Sequence, residues 1–309
     1  MGARPRHCLA CGSSDTEYWA HAWDAEYRTS DDRYQFHRCG GCGVLFIDPV
    51  PRDRLREIYP PSYYAFEAPR GGLINRVKNW LDRRLMGEIL EGLPGEELAV
   101  LDIGGGAGWQ MNGLSEMDPR VRFTQVVDID PEAEERARRN GHDYFPGTIE
   151  EFEVNRRFDL VLMLNLIEHV EDPHAVLAKV ASLLSPGGRA LVKTPNFESW
   201  DARVFRHANW GGYHCPRHWV LFERNNFTAL AERAGLGVKS FSYTQGAPFW
   251  AISVISWLAE HGILRVTREH SAQSHPLFPV LSAGFAAMDF ARGAAGARTS
   301  QMFFHLGLQ

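Results

Sequence analysis

From Leu98 onward the chain alternates short, uninterrupted apolar runs with longer segments in which apolar residues recur every three or four positions. The runs from Leu98 to Ile103, Phe123 to Asp128, Asp143 to Phe145, Phe158 to Leu164 and Gly188 to Lys193 read as buried strands, and the segments around Trp109 to Met117, Pro131 to Asn140 and His174 to Leu184 as helices between them. Each break carries Gly, Pro or Asn-Gly, as in Ser185-Pro-Gly-Gly188. This alternation predicts an α/β, doubly wound, mostly parallel sheet that takes its ligand at the carboxyl ends of the strands. Two further strands, Gly237 to Tyr243 and Ser300 to Leu306, are separated by an insertion far longer than a usual connection. It holds two apolar helices, Phe249 to His261 and Leu277 to Arg292, expected to form a lid over the sheet edge or a dimer interface.

The N-terminal part follows a different pattern. Tyr34-Gln-Phe-His-Arg38 and Val44-Leu-Phe-Ile47 alternate like short strands, and beside them stand two cysteine pairs, Cys8-Leu-Ala-Cys11-Gly12 and Cys39-Gly-Gly-Cys42-Gly43. A two-residue gap lets both thiolates of a pair reach one tetrahedral ion, and glycine after the second cysteine permits the tight turn. The expectation is a small zinc ribbon in which Cys8, Cys11, Cys39 and Cys42 bind structural Zn2+, because so short a segment has too little core to fold unaided. Asp48-Pro-Val-Pro51 then forms a stiff link, and Leu73, Val77, Trp80, Leu81, Leu85 and Ile89 mark one apolar helix face that stops near Gly92 and Pro94. The implied division is 1–50 for the ribbon and 51–97 for the linker and packing helix. Residues 98–245 form the sheet core, and 246–309 the helical insertion with the last strand.

Composition adds mainly exclusions. The 309 residues carry 33 Lys and Arg against 38 Asp and Glu, so no concentrated basic face points to nucleic acid. The cluster Arg70, Arg76, Lys78, Arg83 and Arg84 reads as the solvated side of a helix. No apolar stretch follows the basic residues of the start as a signal peptide requires, and the longest, Phe249 to Ala259, falls short of the ~20 residues that cross a bilayer. A reducing cytoplasm is the expected setting, where cysteines serve metals more often than disulfides.

The sharpest motif is Asp102-Ile-Gly104-Gly-Gly106-Ala-Gly108 after the first buried strand. A dinucleotide loop wants a third glycine where Trp109 stands. Glycine at every second position instead resembles the loop of class I S-adenosylmethionine-dependent methyltransferases, a likeness that runs from about Leu98 to Gly237. The glutamate-histidine-valine box at Glu168-His169-Val170 and the turn Ser185-Pro-Gly-Gly188 belong to it. The resemblance implies a Rossmann-like sheet of seven strands, the last antiparallel and inserted between the fifth and sixth. It implies S-adenosyl-L-methionine as cofactor, with Asp102, Gly104, Gly106 and Gly108 around its amino-acid part. Asp128 would take the ribose hydroxyls, Thr148 and Ile149 would flank the adenine, and Ile129, Leu164 and Asn165 would complete the contacts.

Methyl transfer to a hydroxyl benefits from a base, and histidine suits neutral pH. His169 lies just past the fourth strand, and the run Trp210 to Trp219 packs Tyr213, His214, Arg217 and His218 into one loop, unusual for a mere connector. These five are the candidate catalytic residues, with His218 and Arg217 foremost because related zinc-ribbon methyltransferases carry a similar stretch. Cys215 is expected to be a buried neutral thiol. Whether a second, divalent ion is used stays open: Glu168, His169 and His218 resemble the set of relatives that hold one, but Asn165 stands where those relatives have a carboxylate. The resulting expectation is methyl transfer to a small-molecule acceptor, on oxygen first. A macromolecular methyltransferase docked through the ribbon and a non-catalytic binding module are the alternatives.

Overall fold

The computed structural model describes residues 6–59, 83–84 and 86–309. Its larger sheet has seven strands: β4 (Leu98–Ile103), β5 (Val121–Asp128), β6 (Asp143–Pro146), β7 (Phe158–Leu164), β8 (Leu184–Pro195), β10 (Leu236–Thr244) and β11 (Gln301–Leu308). Their order is β10-β11-β8-β7-β4-β5-β6, and β11 runs antiparallel to both neighbours while β4 to β8 pair in parallel. Every residue of β4 is buried, as an unbroken apolar run in a parallel sheet requires. The expected class, a Rossmann-like α/β sheet with an inserted antiparallel last strand, is the fold found.

Helices α1 (Pro131–Arg139) and α2 (Pro173–Leu183) begin at sequence-legible caps. The Asp130 carboxylate accepts from the Glu132 amide at 2.9 Å and Asp172 from the Ala175 amide at 2.9 Å, each followed by proline in the first turn. The segment after β4 departs from expectation: of Trp109 to Met117, only Leu114–Met117 is helical and the rest is turns. Gly108, at φ +74°, cannot start a right-handed helix, and Asn112-Gly113 are weak helix formers.

The smaller sheet joins β1 (Thr16–Ala22), β2 (Tyr34–Cys39) and β3 (Leu45–Asp48), all antiparallel, to a two-residue strand β9 (Val220–Leu221). Strand β9 comes from the far side of the chain, so Leu45 and Phe46 pair with Leu221 and Val220. Beside it, the fully buried Arg217 guanidinium donates to the Asp24 carboxylate at 2.9 Å, and Asp24 also accepts from the amides of Tyr27 and Thr29. The N-terminal segment is thereby fastened to the loop that carries the histidines.

After α3 (Arg224–Arg233), the insertion forms α4 (Ala247–Glu260) and α5 (Leu277–Ala294). Helix α4 buries Trp250, Ala251, Ile252 and Ile255, and its Ser253 hydroxyl accepts from the Gly211 amide at 2.8 Å. Helix α5 buries only Asp289, which accepts from the Gly246 amide, and leaves Leu277, Val280 and Phe290 exposed. Residues 86–91 are helical and place Met86, Ile89 and Leu90 against Leu98 and Val121. Leu73, Val77, Trp80, Leu81 and Leu85 lie outside the described residues, as do Arg70, Arg76 and Lys78. Arg83 and Arg84 are exposed and pair with Glu116 and Glu88. Among the described residues no helix is long and apolar enough to cross a membrane.

Removing one partner of a buried ion pair strands the other charge, at a cost of about 3–5 kcal/mol. Asp24→Asn is therefore expected to lower unfolding free energy by about that amount, measured by urea denaturation. A loss typical of a surface substitution would show that Arg217 finds another partner.

Candidate active site

Two groups of predicted residues meet at the carboxyl edge of the large sheet. The first surrounds the turn after β4. Gly104, Gly106 and Gly108 adopt φ of +75°, +52° and +74°, backbone that side chains other than glycine rarely accept. A Cβ on Gly104 would come within 2.9 Å of Leu166 and one on Gly108 within 2.4 Å of His142, whereas one on Gly106 would meet nothing within 4 Å. The turn is thus packed behind and open in front.

Next to the turn, the Asp128 carboxylate at the end of β5 accepts from the Gly106 amide at 2.8 Å and from the Asp130 amide at 2.9 Å. Ile129 beside it is 58% exposed. Thr148 is exposed and bonded to Glu151, whereas Ile149 is buried in the core. Asn165 is exposed at φ 58°, accepts from the Gln301 side chain at 3.4 Å, and follows the half-buried Leu164. Beneath the turn lies Asp102, buried, with one carboxylate oxygen lacking any hydrogen-bond partner. Burial, with the nearby Asp128 charge, pushes its pKa up to about 7. Burial also raises Asp128, against the pull of the amides that bond it.

The second group gathers at the end of β7. His169, His214 and His218 form a triangle with ring centroids 4.7 Å (169 to 218), 5.0 Å (214 to 218) and 6.3 Å (169 to 214) apart. His214 sits at φ 38° and its Nδ1 lies 2.6 Å from the buried Glu26 carboxylate. His218 Nδ1 lies 2.8 Å from the Gly212 carbonyl, and His169 Nδ1 lies 3.1 Å from the Arg217 carbonyl and 2.9 Å from the Tyr59 hydroxyl. Glu168, fully buried, accepts from the Thr194 hydroxyl at 3.0 Å. Burial pushes Glu168 up to about 8 and, with the neighbouring histidines, holds His169 down to about 3 and His218 well below the usual imidazole range.

Tyr213 and Arg217 occupy the same loop but are engaged elsewhere. The Tyr213 hydroxyl accepts from Trp19 Nε1 and donates to the Arg206 carbonyl, both at 3.0 Å, and its ring stacks on Phe36. Arg217 is committed to Asp24 and stands over the Tyr27 ring. Cys215 is buried, and burial pushes its thiol pKa up, so it stays neutral. Asp24, Glu26 and Thr194 were not legible as site residues. The only hint was two acids in the aromatic stretch Trp23-Asp-Ala-Glu-Tyr27.

At the other end of the small sheet, Cys8 and Cys42 bring their sulfurs to 3.6 Å and Cys11 and Cys39 theirs to 3.5 Å, all four within 4.8 Å of one another. Tetrahedral ligation at Zn–S of about 2.3 Å puts sulfurs about 3.8 Å apart, so the set fits one such ion.

An unfolded aspartate ionises near pH 3.9 (roughly), whereas folded Asp102 keeps its proton to about 7. Over that window the folded state binds more protons, and stability falls as pH rises through it. Asp102→Asn is expected to match the wild type near pH 4 and to exceed it near pH 8 in urea midpoint. A difference that stays constant with pH would mean that the carboxylate is ionised in the fold.

With this geometry in place, likeness to known proteins becomes informative. One family profile, described as a methyltransferase domain, matches residues 74–240, more than half of the 309-residue chain. A ubiquinone biosynthesis O-methyltransferase of Rhodopseudomonas palustris (strain BisB18) is 29% identical over 178 residues, covering 50% of this chain and 66% of that one. Its namesake from Bradyrhizobium sp. (strain ORS 278) is 39% identical over 113 residues, 34% of this chain and 42% of that one. The chain therefore spans less than two thirds of these relatives' length. The crystal structure of N-methyltransferase NodS from Bradyrhizobium japonicum WM9 with S-adenosyl-L-homocysteine covers 84% of this chain and 98% of that one at 15% identity, with a TM-score of 0.45 that carries no argument of its own. On the extent of the profile match, the chain belongs to the methyltransferase-domain family.

Proposed function

We propose that this chain transfers a methyl group from S-adenosyl-L-methionine to an oxygen of a small-molecule acceptor. The observation that carries the reading is an open-fronted glycine turn with the Asp128 carboxylate held beside it on the Gly106 amide. Amides of Gly104 to Gly108 would hold the amino-acid part of the cofactor, with Asp102 setting the turn from below. Asp128 offers two adjacent acceptors, which suits a ribose diol. Ile129, already exposed, offers an apolar face to the adenine, with Thr148, Leu164 and Asn165 around it and Ile149 as packing behind. When bound, the cofactor supplies an electrophilic methyl group on a sulfonium centre.

The histidine cluster lies on the acceptor side, at the end of β7. His214, with Nδ1 held by Glu26, is oriented as the proton acceptor for the attacking hydroxyl, in the way that a carboxylate orients the base of a hydrolase. Arg217 and Tyr213 serve as scaffold for the loop. The short insertion contact between Gly211 and α4 closes the loop against water. The two relatives, both ubiquinone biosynthesis O-methyltransferases, favour oxygen as the atom methylated.

The four cysteines are proposed to bind one structural Zn2+, in a reducing compartment such as the cytoplasm that keeps the thiols available. Chelation, or Cys39→Ser, is expected to unfold β1 to β3 and to expose Phe36 and Phe46, read by proteolysis and by tryptophan emission. A chelated protein with unchanged emission and protease resistance would remove the structural role.

Asp128→Ala is expected to weaken binding of S-adenosyl-L-homocysteine at least tenfold by calorimetry. His214→Ala and Glu26→Gln should leave that affinity within twofold and lower kcat by about 10²–10⁴, the usual contribution of a general base. The absence of affinity for S-adenosyl-L-homocysteine in the folded wild type would sink the proposal. Equal loss of binding and turnover in His214→Ala would reduce that residue to packing.

A further inference from the structure

The near half of the glycine turn is fixed by the strands that flank it. The Gly104 amide donates to the Val127 carbonyl at 2.8 Å, the Gly106 amide donates to Asp128, and Asp102 fills the space beside Gly105. The far half is different. A helix that starts on such a loop is its usual brace, but residues 106–113 are turns and the first helical residue is Leu114.

The brace comes instead from Asn140-Gly-His142, the link between α1 and β6. Asn140 Nδ2 donates to the Ala107 carbonyl at 3.3 Å. The buried His142 ring lies directly behind Gly108, where a Cβ would come within 2.4 Å of its Cδ2. Its Nε2 lies 2.8 Å from the Asn112 side-chain oxygen, and its Nδ1 lies 2.8 Å from the Thr124 hydroxyl of β5. An amide oxygen only accepts, so Nε2 carries the proton and Nδ1 accepts from Thr124. The neutral ring thus satisfies both partners at once. Burial holds the His142 pKa below the usual imidazole range and keeps it in that form.

A ring with both nitrogens committed cannot turn without breaking a bond, and a buried polar atom left unmatched costs about 1–3 kcal/mol. Thr124 therefore fixes the ring, and the ring fixes the turn. Asn112 is exposed, so the bond that His142 sends to it shapes the turn and adds little to the core.

We propose that His142 is a positioning residue for the cofactor: through Asn112 and its contact with Gly108, it holds the far half of the turn in the form that receives the amino-acid part of S-adenosyl-L-methionine. The inference rests on the methyl-transfer reading and adds to it a residue from outside the glycine motif. Its action is indirect, since the ring stands behind the turn.

The test is a double-mutant cycle on S-adenosyl-L-homocysteine affinity, measured by calorimetry on the full-length protein, with Tm recorded for every variant. His142→Ala and Asn112→Ala should each weaken binding about tenfold, the loss that follows when the ligand must order a site that was ordered beforehand. Asn112→Ala should do so with Tm unchanged. Because both act through one hydrogen bond, the double variant should bind no more weakly than His142→Ala alone. His142→Gln, whose amide can still donate to Asn112, should recover most of the affinity. If His142→Ala does not fold, Thr124→Val, which releases the ring, takes its place in the cycle with the same expectations. Wild-type affinity in both single variants, or a double variant whose loss is the product of the two single losses, would overturn the positioning role and leave the methyl-transfer reading intact. A folded wild type without affinity would remove that reading and this inference with it.

Discussion

The buried pair between Arg217 and Asp24 is the interaction on which the rest of the site depends. Both side chains are withdrawn from water, so neither can leave without stranding the other. Arg217 belongs to the loop that carries His214 and His218, and Asp24 belongs to the segment that follows β1. One guanidinium therefore sets the loop's position against the small sheet, and β9 repeats the fastening through the backbone three residues further on. The histidines are held by the N-terminal segment as much as by the large sheet.

This arrangement gives the small sheet more than a metal-binding role. Glu26, two residues from Asp24, reaches the imidazole of His214 across the same seam. Trp19 of β1 bonds the hydroxyl of Tyr213 and lies under the Arg206 guanidinium. Loss of order in the cysteine segment would thus reach the histidine loop directly, through these polar contacts.

Electrostatics separates the two halves of the cleft. Around the glycine turn, burial raises both Asp102 and Asp128, and the Asp128 charge adds to the cost of ionising Asp102. At the end of β7, burial disfavours the charged forms of Glu168, His169 and His218, so the cluster is held close to electrical neutrality.

What the sequence determined by itself was whatever rests on local pattern. Largely apolar runs marked β4 and β7, because a strand covered on both faces has few polar positions to spare. Asp130-Pro131 and Asp172-Pro173 marked the two helix starts because capping is a matter of neighbours along the chain. The alternate glycines announced the turn after β4, and the two Cys-x-x-Cys pairs announced their own cluster. Tertiary structure decided what depends on residues distant along the chain. Asp24 and Glu26 looked like two acids in an aromatic stretch until folding set them against Arg217 and His214. The partners of Tyr213 and Arg217, which are Trp19, the Arg206 carbonyl and Asp24, were likewise set by the fold, since a buried hydroxyl or guanidinium must be satisfied by whatever group comes near. Long-range contacts carry no periodicity for a reader of the chain to find.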